Sequence, residues 1–347
     1  MAGILARYEK LFPLTPGTPR LDLGEGNTPL LPFPKLGKSL GIELFGKFEG
    51  VNPTGSFKDR GMVLAVSKAL EEGVRAIVCA STGNTSASAA AYAARAGIPC
   101  HVLLPAGKVA LGKLAQAVIH GARVIAVKGD FDRALELARH VAVERNLAIV
   151  NSVNRYRLWG QRSGAWEVCD ELEAAPDAMV LPVGNAGNIT AWWAGYVQYA
   201  RYGKCSGAPS MFGVQAAGAA PLVSRRLCEK PETVATAIRI GRPVNGPRAR
   251  WAVKMSGGAF FAVSDEEILD AQKLLASEEG VFAEPASCAG IAGLSKMAEE
   301  GRLKRGTRVV AVLTGTGLKD PGAVLDRVEP PVEIEAQRET LLEVMEL

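Results

Sequence analysis

From about Ala76 onward, short apolar runs alternate with longer stretches of helical periodicity. The runs are rich in Val, Ile and Leu and predict buried strands at Ala76–Cys79, His101–Leu104, Arg123–Val127, Leu147–Val150, Ala178–Val183, Met211–Val214 and Arg308–Leu313. The stretches between most of them predict helices at Thr85–Ala96, Leu111–His120, Asp132–Glu144, Leu158–Leu172 and Ile189–Tyr202. This alternation indicates mostly parallel sheets with helices on both faces.

The predicted strands are too many for one compact sheet, so we expect an α/β protein of two three-layer domains with a cleft between them. The smaller domain is placed at residues 52–153, and the larger one at residues 1–51 and 154–328. The remaining C-terminal tail, residues 329–347, carries two prolines and six glutamates. It predicts a short surface or subunit-contact helix.

Composition narrows the possible classes of protein. The 347 residues carry a net charge of only +4, and no basic run is interleaved with aromatic residues, which argues against nucleic acid as a partner. No apolar stretch reaches the roughly 18 residues of a membrane span, and the N-terminus is charged too early for a signal peptide. The six cysteines form no C-x-x-C pair, which is typical of a reduced, cytoplasmic protein. The three histidines show no metal-ligand spacing, so we expect no metal and a proton carrier other than histidine.

Lys58 is the first candidate for chemistry. A turn from Asn52 to Gly55 leads to Phe57, then to this lysine and a helical stretch. A lysine held beside apolar groups and a second cation loses proton affinity, and its neutral amine can attack a carbonyl. The alternative interpretation is an ordinary surface ammonium at the start of a helix.

Two polar loops follow predicted strands at their carboxyl ends, where open α/β sheets bind ligands. In the first, small polar residues from Ser81 to Ser86 lead into an Ala-rich helix and predict an anion site for a carboxylate or phosphate. Simple helix capping is the alternative. In the second, the residues from Gly184 to Asn188 resemble a phosphate cradle at the start of the next helix. A plain strand–helix turn would look the same.

Two further loops and one short motif carry weaker signals. Thr314 ends a strand beside two glycines and could hydrogen-bond a ring nitrogen. The loop from Asn151 to Arg157 combines amide, hydroxyl and guanidinium groups that suit a second anion. Gly107–Lys113 matches G-x-x-x-x-G-K, but Leu114 follows where a nucleotide-binding loop needs Ser or Thr for magnesium. A nucleotide-binding module stays as an alternative from a different class.

Together these motifs resemble the fold-type II enzymes that use pyridoxal phosphate, with the architecture of tryptophan synthase β, and within that group the threonine synthase family. The resemblance runs from about Gly24 to Pro321. It is carried by Gly26–Leu30, Ser56–Gly61, Ser81–Thr85, Gly184–Asn188, Ala235–Gly241, Glu284–Ser287 and Thr314–Gly315. The resemblance implies a cofactor in the cleft between the two domains and a homodimer.

The resemblance also implies roles for the candidate residues. Lys58 would hold the cofactor as a Schiff base and act as the catalytic residue. The other implied cofactor contacts are Asn84 on the ring hydroxyl, Thr314 on the pyridine nitrogen, and a phosphate cradle of Gly184, Asn185, Ala186, Gly187 and Asn188. The implied substrate contacts are Ser81, Thr82 and Thr85 on the carboxylate, and Asn151, Ser152 and Arg157 on a phosphate.

The implied reaction converts O-phospho-L-homoserine and water to L-threonine and phosphate, with Lys58 moving the protons. A threonine hydroxyl at the pyridine nitrogen brings no negative charge, which favours elimination and replacement. The nearest alternative is a threonine or serine dehydratase, which would release an oxo acid and ammonia instead of an amino acid.

Overall fold

The computed structural model describes residues 2–106, 111–129, 131–325 and 330–345, and gives the backbone alone for residues 111–113, 131, 132 and 135. The Gly107–Lys113 motif therefore lies outside the described residues or, at its last three positions, outside the described side chains. Residues 329, 346 and 347 of the predicted tail lie outside them as well.

The described strands form two separate sheets. In chain order the strands are β1 (Leu30–Pro32), β2 (Glu43–Phe48), β3 (Ile77–Ala80), β4 (Cys100–Pro105), β5 (Arg123–Val127), β6 (Ala148–Ile149), β7 (Ala178–Pro182), β8 (Ser210–Ala216), β9 (Phe260–Val263) and β10 (Arg308–Leu313). The larger sheet has the order β1-β2-β10-β7-β8-β9, in which β1 is antiparallel to β2 and the other pairs are parallel. The smaller sheet has the order β5-β4-β3-β6 and is parallel throughout. The prediction of mostly parallel sheets is confirmed.

Helices connect the strands of both sheets, as parallel pairing requires. In chain order they are α1 (Ile4–Arg7), α2 (Pro34–Leu40), α3 (Lys58–Glu71), α4 (Asn84–Ala96), α5 (Leu111–Ile119), α6 (Phe131–Arg145), α7 (Arg155–Gln161), α8 (Ser163–Leu172), α9 (Gly187–Arg201), α10 (Pro221–Ser224), α11 (Gly246–Met255), α12 (Asp265–Glu279), α13 (Pro285–Glu299), α14 (Gly322–Leu325) and α15 (Arg338–Val344). The last of these lies in the predicted tail and buries no residue.

Strand β7 illustrates how the larger sheet is covered on both faces. Its residue Leu181 belongs to an apolar core that also contains Trp166 of α8. The neighbouring residue Val180 belongs to a second core, with Ile291 of α13. Because successive side chains of a strand face opposite sides, the two cores lie on opposite faces of the sheet. The arrangement has the three layers expected from the sequence.

Two features of the fold depart from the sequence-based expectation. The sequence patterns do not predict β1, β2 or β9, and β2 is concealed because Lys47 interrupts its apolar run. In the structure Lys47 is fully buried and forms ion pairs with Glu167 and Glu171 of α8. The predicted helix Leu158–Leu172 is helical but not continuous, since the chain is divided into α7 and α8 at Arg162. There the Arg162 N–H donates to the carbonyl oxygen of Trp159, three residues earlier. This bond makes a turn tighter than that of an α-helix between the two helices.

Candidate active site

Lys58 is the first residue of α3. The two residues before it are hydrogen-bonded to the chain at the carboxyl end of β10. The Phe57 N–H donates to the carbonyl oxygen of Thr314 at 2.9 Å, and Ser56 forms a β-bridge with Gly315. These main-chain contacts fix the start of the helix beside the end of the strand. The Lys58 Nζ lies 4.0 Å from the centroid of the Phe57 ring and forms no hydrogen bond or ion pair with any residue that the structure describes.

The surroundings lower the pKa of the Lys58 amine to about 7. Burial among protein atoms is the largest cause, because it disfavours the charged ammonium, and repulsion from the Arg157 guanidinium is the second. The Glu284 carboxylate acts in the opposite direction and more weakly. At neutral pH a substantial fraction of the amine is therefore unprotonated, as a nucleophile or proton acceptor must be.

Arg157 comes close to Lys58 because α7 packs at very short range on α3. A Cβ atom at Gly160 would lie 2.0 Å from the carbonyl oxygen of Arg60, and one at Gly61 would lie 2.7 Å from the carbonyl oxygen of Arg157. Real Cβ atoms do not approach so closely, so both positions require glycine. The close packing at these glycines brings the two helices near enough for the charge of Arg157 to act on the Lys58 amine.

Arg157 is a buried cation without an acidic partner among the described residues. Its side chain is 2% exposed, and its Nη1 donates to the carbonyl oxygen of Val150 at 3.1 Å, whereas its Nε has no partner. Burial lowers its pKa to about 10, so the guanidinium is still charged at neutral pH. A charged and incompletely bonded guanidinium favours an anion, because its planar fork matches phosphate and carboxylate oxygens.

The residues from Gly184 to Asn188 connect β7 to α9 and form a second group suited to an anion. Ala186 adopts a left-handed conformation, with φ 61°, immediately before α9 begins at Gly187, and no side chain caps the helix there. The first N–H groups of the helix are thus available to a ligand. The buried amide of Asn188 has no partner on either its nitrogen or its oxygen. Both features fit a bound phosphate.

Asn84 and Thr314 are joined by a residue to which the sequence assigns no role. Asn84 Nδ2 donates to Glu284 Oε2 at 2.9 Å, and Thr314 Oγ1 donates to Glu284 Oε1 at 2.7 Å. All three side chains are buried. The Glu284–Ser287 motif is part of the family resemblance, and a buried carboxylate in such a motif is the signal that could have drawn attention to Glu284.

Ser81, Thr82 and Thr85 lie together at the start of α4, after the end of β3. The Ser81 Oγ accepts a hydrogen bond from the Gly83 N–H at 3.2 Å, and no side chain caps the helix. The hydroxyls of Thr82 and Thr85 form no hydrogen bond with a described residue. A helix start with unused hydroxyls and N–H groups matches the anion site expected from the sequence.

Asn151 and Ser152 connect the smaller sheet to the other loops. The Asn151 amide exchanges two hydrogen bonds with the main chain of Ala80, at 3.0 and 2.8 Å, and so holds the residue before Ser81. The carbonyl oxygen of Ser152 accepts from Asn245 Nδ2 at 3.3 Å, while the Asn245 N–H donates to the carbonyl oxygen of Asn185 at 3.1 Å. Asn245, which the sequence does not single out, thereby ties the Ser152 loop to the Gly184–Asn188 loop.

These groups fit pyridoxal phosphate. The cofactor needs an amine for its aldehyde, an anion site for its phosphate and hydrogen-bonding partners for its ring. Lys58 would supply the free amine, the start of α9 with the unpaired Asn188 amide would supply the anion site, and Asn84 and Thr314, both bonded to Glu284, would supply ring partners. Arg157, whose charge acts on Lys58, would be a further anion-binding group.

Comparison with known proteins agrees with this site. The family described as pyridoxal-phosphate dependent enzyme matches residues 21–315. The chain is 55% identical to a threonine synthase of Halalkalibacterium halodurans, over 94% of this chain and 92% of the relative. It is 56% identical to a threonine synthase of Bacillus sp. strain ULM1, over 92% and 90%. The chain belongs to the pyridoxal-phosphate dependent enzyme family, and within it to the threonine synthase family.

A solved structure supports the fold independently of close sequence similarity. Maize serine racemase superposes with a TM-score of 0.76 at 20% identity, and the match covers 87% of this chain and 91% of that one. At this identity the likeness concerns the fold alone. The resemblance stated from the sequence, with its fold and cofactor, is thus confirmed, and the alternative of a nucleotide-binding module finds no support in these relatives.

Proposed function

We propose that this chain converts O-phospho-L-homoserine and water to L-threonine and phosphate, with pyridoxal phosphate as its cofactor. The observation that carries the proposal is the presence of three anion-binding groups: the start of α4, the Gly184–Asn188 loop, and the buried Arg157, whose charge acts on the Lys58 amine. A phosphorylated cofactor needs one such group, and the carboxylate and the phosphate of a phosphorylated amino acid need one each. Serine and threonine carry no phosphate, so a dehydratase would have no use for the third.

In this proposal each part of the cofactor has its own partner. Lys58 would hold it covalently, the Gly184–Asn188 loop would hold its phosphate, Asn84 would contact the ring hydroxyl, and Thr314 would contact the pyridine nitrogen. The uncapped start of α9 and the unpaired amide of Asn188 support the phosphate contacts. When bound, pyridoxal phosphate supplies an electron sink for negative charge on the α carbon of the substrate.

The substrate is proposed to be held at both ends. Its carboxylate lies on the start of α4, where the hydroxyls of Thr82 and Thr85 have no described partner and Ser81 adds a third hydroxyl. Its phosphate lies on Arg157 and Ser152. Asn151 contributes the N–H that its bonds to Ala80 leave free, since an amide nitrogen carries two donors.

Lys58 is the proposed proton carrier. An amine whose pKa is about 7 can both accept and release protons at neutral pH. It would take a proton from the α carbon and then one from the β carbon as phosphate leaves the γ carbon toward Arg157. The two protons would return to the γ carbon, which becomes the methyl group, and to the α carbon, while water adds its hydroxyl at the β carbon and gives its proton to the released phosphate. We propose that the released phosphate, whose second pKa lies near ~6, stays on Arg157 and acts as a base.

Product analysis tests the proposed reaction. Purified enzyme incubated with O-phospho-L-homoserine should release threonine and phosphate in equal amounts. An oxo acid with ammonia would favour the dehydratase alternative instead. The Lys58→Ala variant is the control and should form neither set of products.

We also propose a homodimer in the cytoplasm, with a division between domains at residues 52–153. On α11, Trp251 and Met255 are more than half exposed, and Trp251 packs edge-on against Trp193 at 4.7 Å. Aromatic residues and methionine are enriched at interfaces. Sedimentation should give a dimer for the native protein and a monomer for Trp251→Glu.

The cysteines support the proposed compartment. All six are free, which suits a reducing environment. In the described part of the chain, no helix is long and apolar enough to cross a membrane.

A further inference from the structure

We infer that Glu284 is a positioning residue of the cofactor site, because its carboxylate holds Asn84 and Thr314 in the orientation in which both meet the cofactor. The two partners come from different sheets. Asn84 begins α4, which follows β3 of the smaller sheet, whereas Thr314 follows β10 of the larger sheet. The inference rests on the roles proposed above for these two residues.

The geometry is that of a bridge with one partner on each carboxylate oxygen. Oε2 accepts from Asn84 Nδ2 at 2.9 Å, and Oε1 accepts from Thr314 Oγ1 at 2.7 Å. Glu284 is 3% exposed, so no water shell replaces either bond. Its backbone is fixed as well, because the Glu284 N–H donates to the carbonyl oxygen of Gly315 at 3.0 Å. One side chain therefore sets the spacing between the two halves of the site.

The bridge also sets which hydrogens face the cofactor. An ionised carboxylate only accepts, so it takes one N–H of Asn84 and the hydroxyl proton of Thr314. Asn84 keeps its second N–H for an acceptor on the ring, and Thr314 keeps the one lone pair that the Ser287 hydroxyl does not use. The Ser287 Oγ, 2.9 Å from Thr314 Oγ1, is held by the Gly315 N–H at 3.2 Å and supports the same hydroxyl from the other side.

Burial and nearby charges affect the protonation of the Glu284 carboxyl group. Burial raises the pKa of its carboxyl, while the bonds from Asn84 and Thr314 and the positive charges of Lys58 and Lys319 oppose that rise. The ionised form keeps both hydrogen bonds as accepted bonds.

A double-mutant cycle on cofactor binding tests the inference. Apoenzyme is titrated with pyridoxal phosphate, and the dissociation constant is followed by absorbance for Glu284→Gln in the native background and in an Asn84→Ala/Thr314→Val background. We expect Glu284→Gln to weaken binding about 10- to 100-fold in the native background, as for the loss of bonds to a charged group. In the background that lacks both partners, the same change should weaken binding less than about threefold, because there is nothing left to position.

Two results would overturn the inference: an equal loss in both backgrounds, which is a general structural effect, or no loss in the native one. Glu25→Gln is the matched control, since Glu25 is also buried but bonds to Tyr92, Ile4 and Leu23; it should leave the affinity for pyridoxal phosphate unchanged. If Glu284→Gln does not fold, Glu284→Asp takes its place in the cycle, since its shorter carboxylate cannot span both partners. A protein that shows this coupling yet forms no threonine would overturn the proposed reaction and leave the inference standing.

Discussion

The positive charge of the Arg157 guanidinium acts on the Lys58 amine, and this repulsion is second only to burial in lowering the pKa of Lys58. Arg157 has no acidic partner among the described residues, and its Nε is unpaired. A buried cation that is repelled by a second positive charge is costly unless an anion joins it. A substrate phosphate would satisfy Arg157 and relieve that repulsion.

Removing the guanidinium should therefore affect substrate binding and not cofactor binding. For Arg157→Leu we expect the KM for O-phospho-L-homoserine to rise about 10- to 100-fold, because a charge-assisted contact to phosphate is lost. Measured above the Lys58 midpoint of both proteins, where the amine is unprotonated in each, the affinity for pyridoxal phosphate should stay within about twofold, since one lost contact outside its phosphate cradle has no direct effect there. Steady-state kinetics and cofactor titration measure the two quantities.

Arg162→Leu is the matched control for Arg157. Arg162 also has an unpaired Nε and a pKa lowered to about 10 by burial, but it stacks on Trp159 at 3.6 Å and is not among the charges that shift Lys58. Its KM should be unchanged. Equal effects of the two substitutions would contradict a specific phosphate contact at Arg157.

The pH at which Lys58 reacts should depend on Arg157. In apoenzyme, the rate at which a small aldehyde and borohydride modify Lys58 should be half-maximal near pH 7 and fall below it, because the protonated amine does not react. Arg157 lowers the pKa of Lys58, so Arg157→Leu should move the midpoint to higher pH. Mass spectrometry of the Lys58 peptide gives the rate, and an unmoved or lower midpoint would rule out the repulsion as a cause.

The contact between α3 and α7 should be intolerant of a single methyl group. In Gly160→Ala the new Cβ would meet the Arg60 carbonyl 2.0 Å away, and the helices would have to separate. We expect the free energy of unfolding to fall by about 1–3 kcal/mol, as for overpacking, together with a raised KM from the displaced Arg157. Gly207→Ala, with no atom within 4 Å of its Cβ, is the control and should change neither. A loss of stability without any change in KM would show that the contact does not position Arg157.

Replacing either of two asparagines by leucine should change the free energy of unfolding of the apoenzyme, but in opposite directions. Asn188 buries an amide with no partner, so Asn188→Leu should raise the free energy of unfolding by about 1 kcal/mol or more while weakening pyridoxal phosphate binding. Asn151→Leu breaks two hydrogen bonds to Ala80 and should lower the free energy of unfolding instead. Denaturant unfolding of the two apoenzymes checks the signs. Destabilisation of both would mean that the Asn188 amide has a structural partner.

The sequence could predict the loops of the site because each is a local pattern. Ser81–Ser86, Gly184–Asn188 and Thr314 each follow a run of apolar residues, and parallel strands present their carboxyl ends at one edge of a sheet. Predicting the strand is enough to place the loop. The same reasoning located β3, β7 and β10, whose apolar residues are uninterrupted.

What the sequence could not predict depends on contacts between distant residues. Glu284 lies 200 positions from Asn84, and Asn245 lies 93 positions from Ser152, so no local pattern connects either pair. Strand β2 was missed for the same reason, because the partners that allow Lys47 to be buried are supplied by α8. The mutual approach of Gly61 and Gly160 likewise exists only once α3 and α7 are packed together.

The most direct test of the account is to locate the cofactor on the chain. Holoenzyme is reduced with borohydride, digested, and searched by mass spectrometry for the peptide that carries the phosphopyridoxyl group. The account predicts the group on Lys58, the described amine that combines a free Nζ with a pKa near 7. Attachment to another lysine, such as Lys319, with Lys58 unmodified would contradict it.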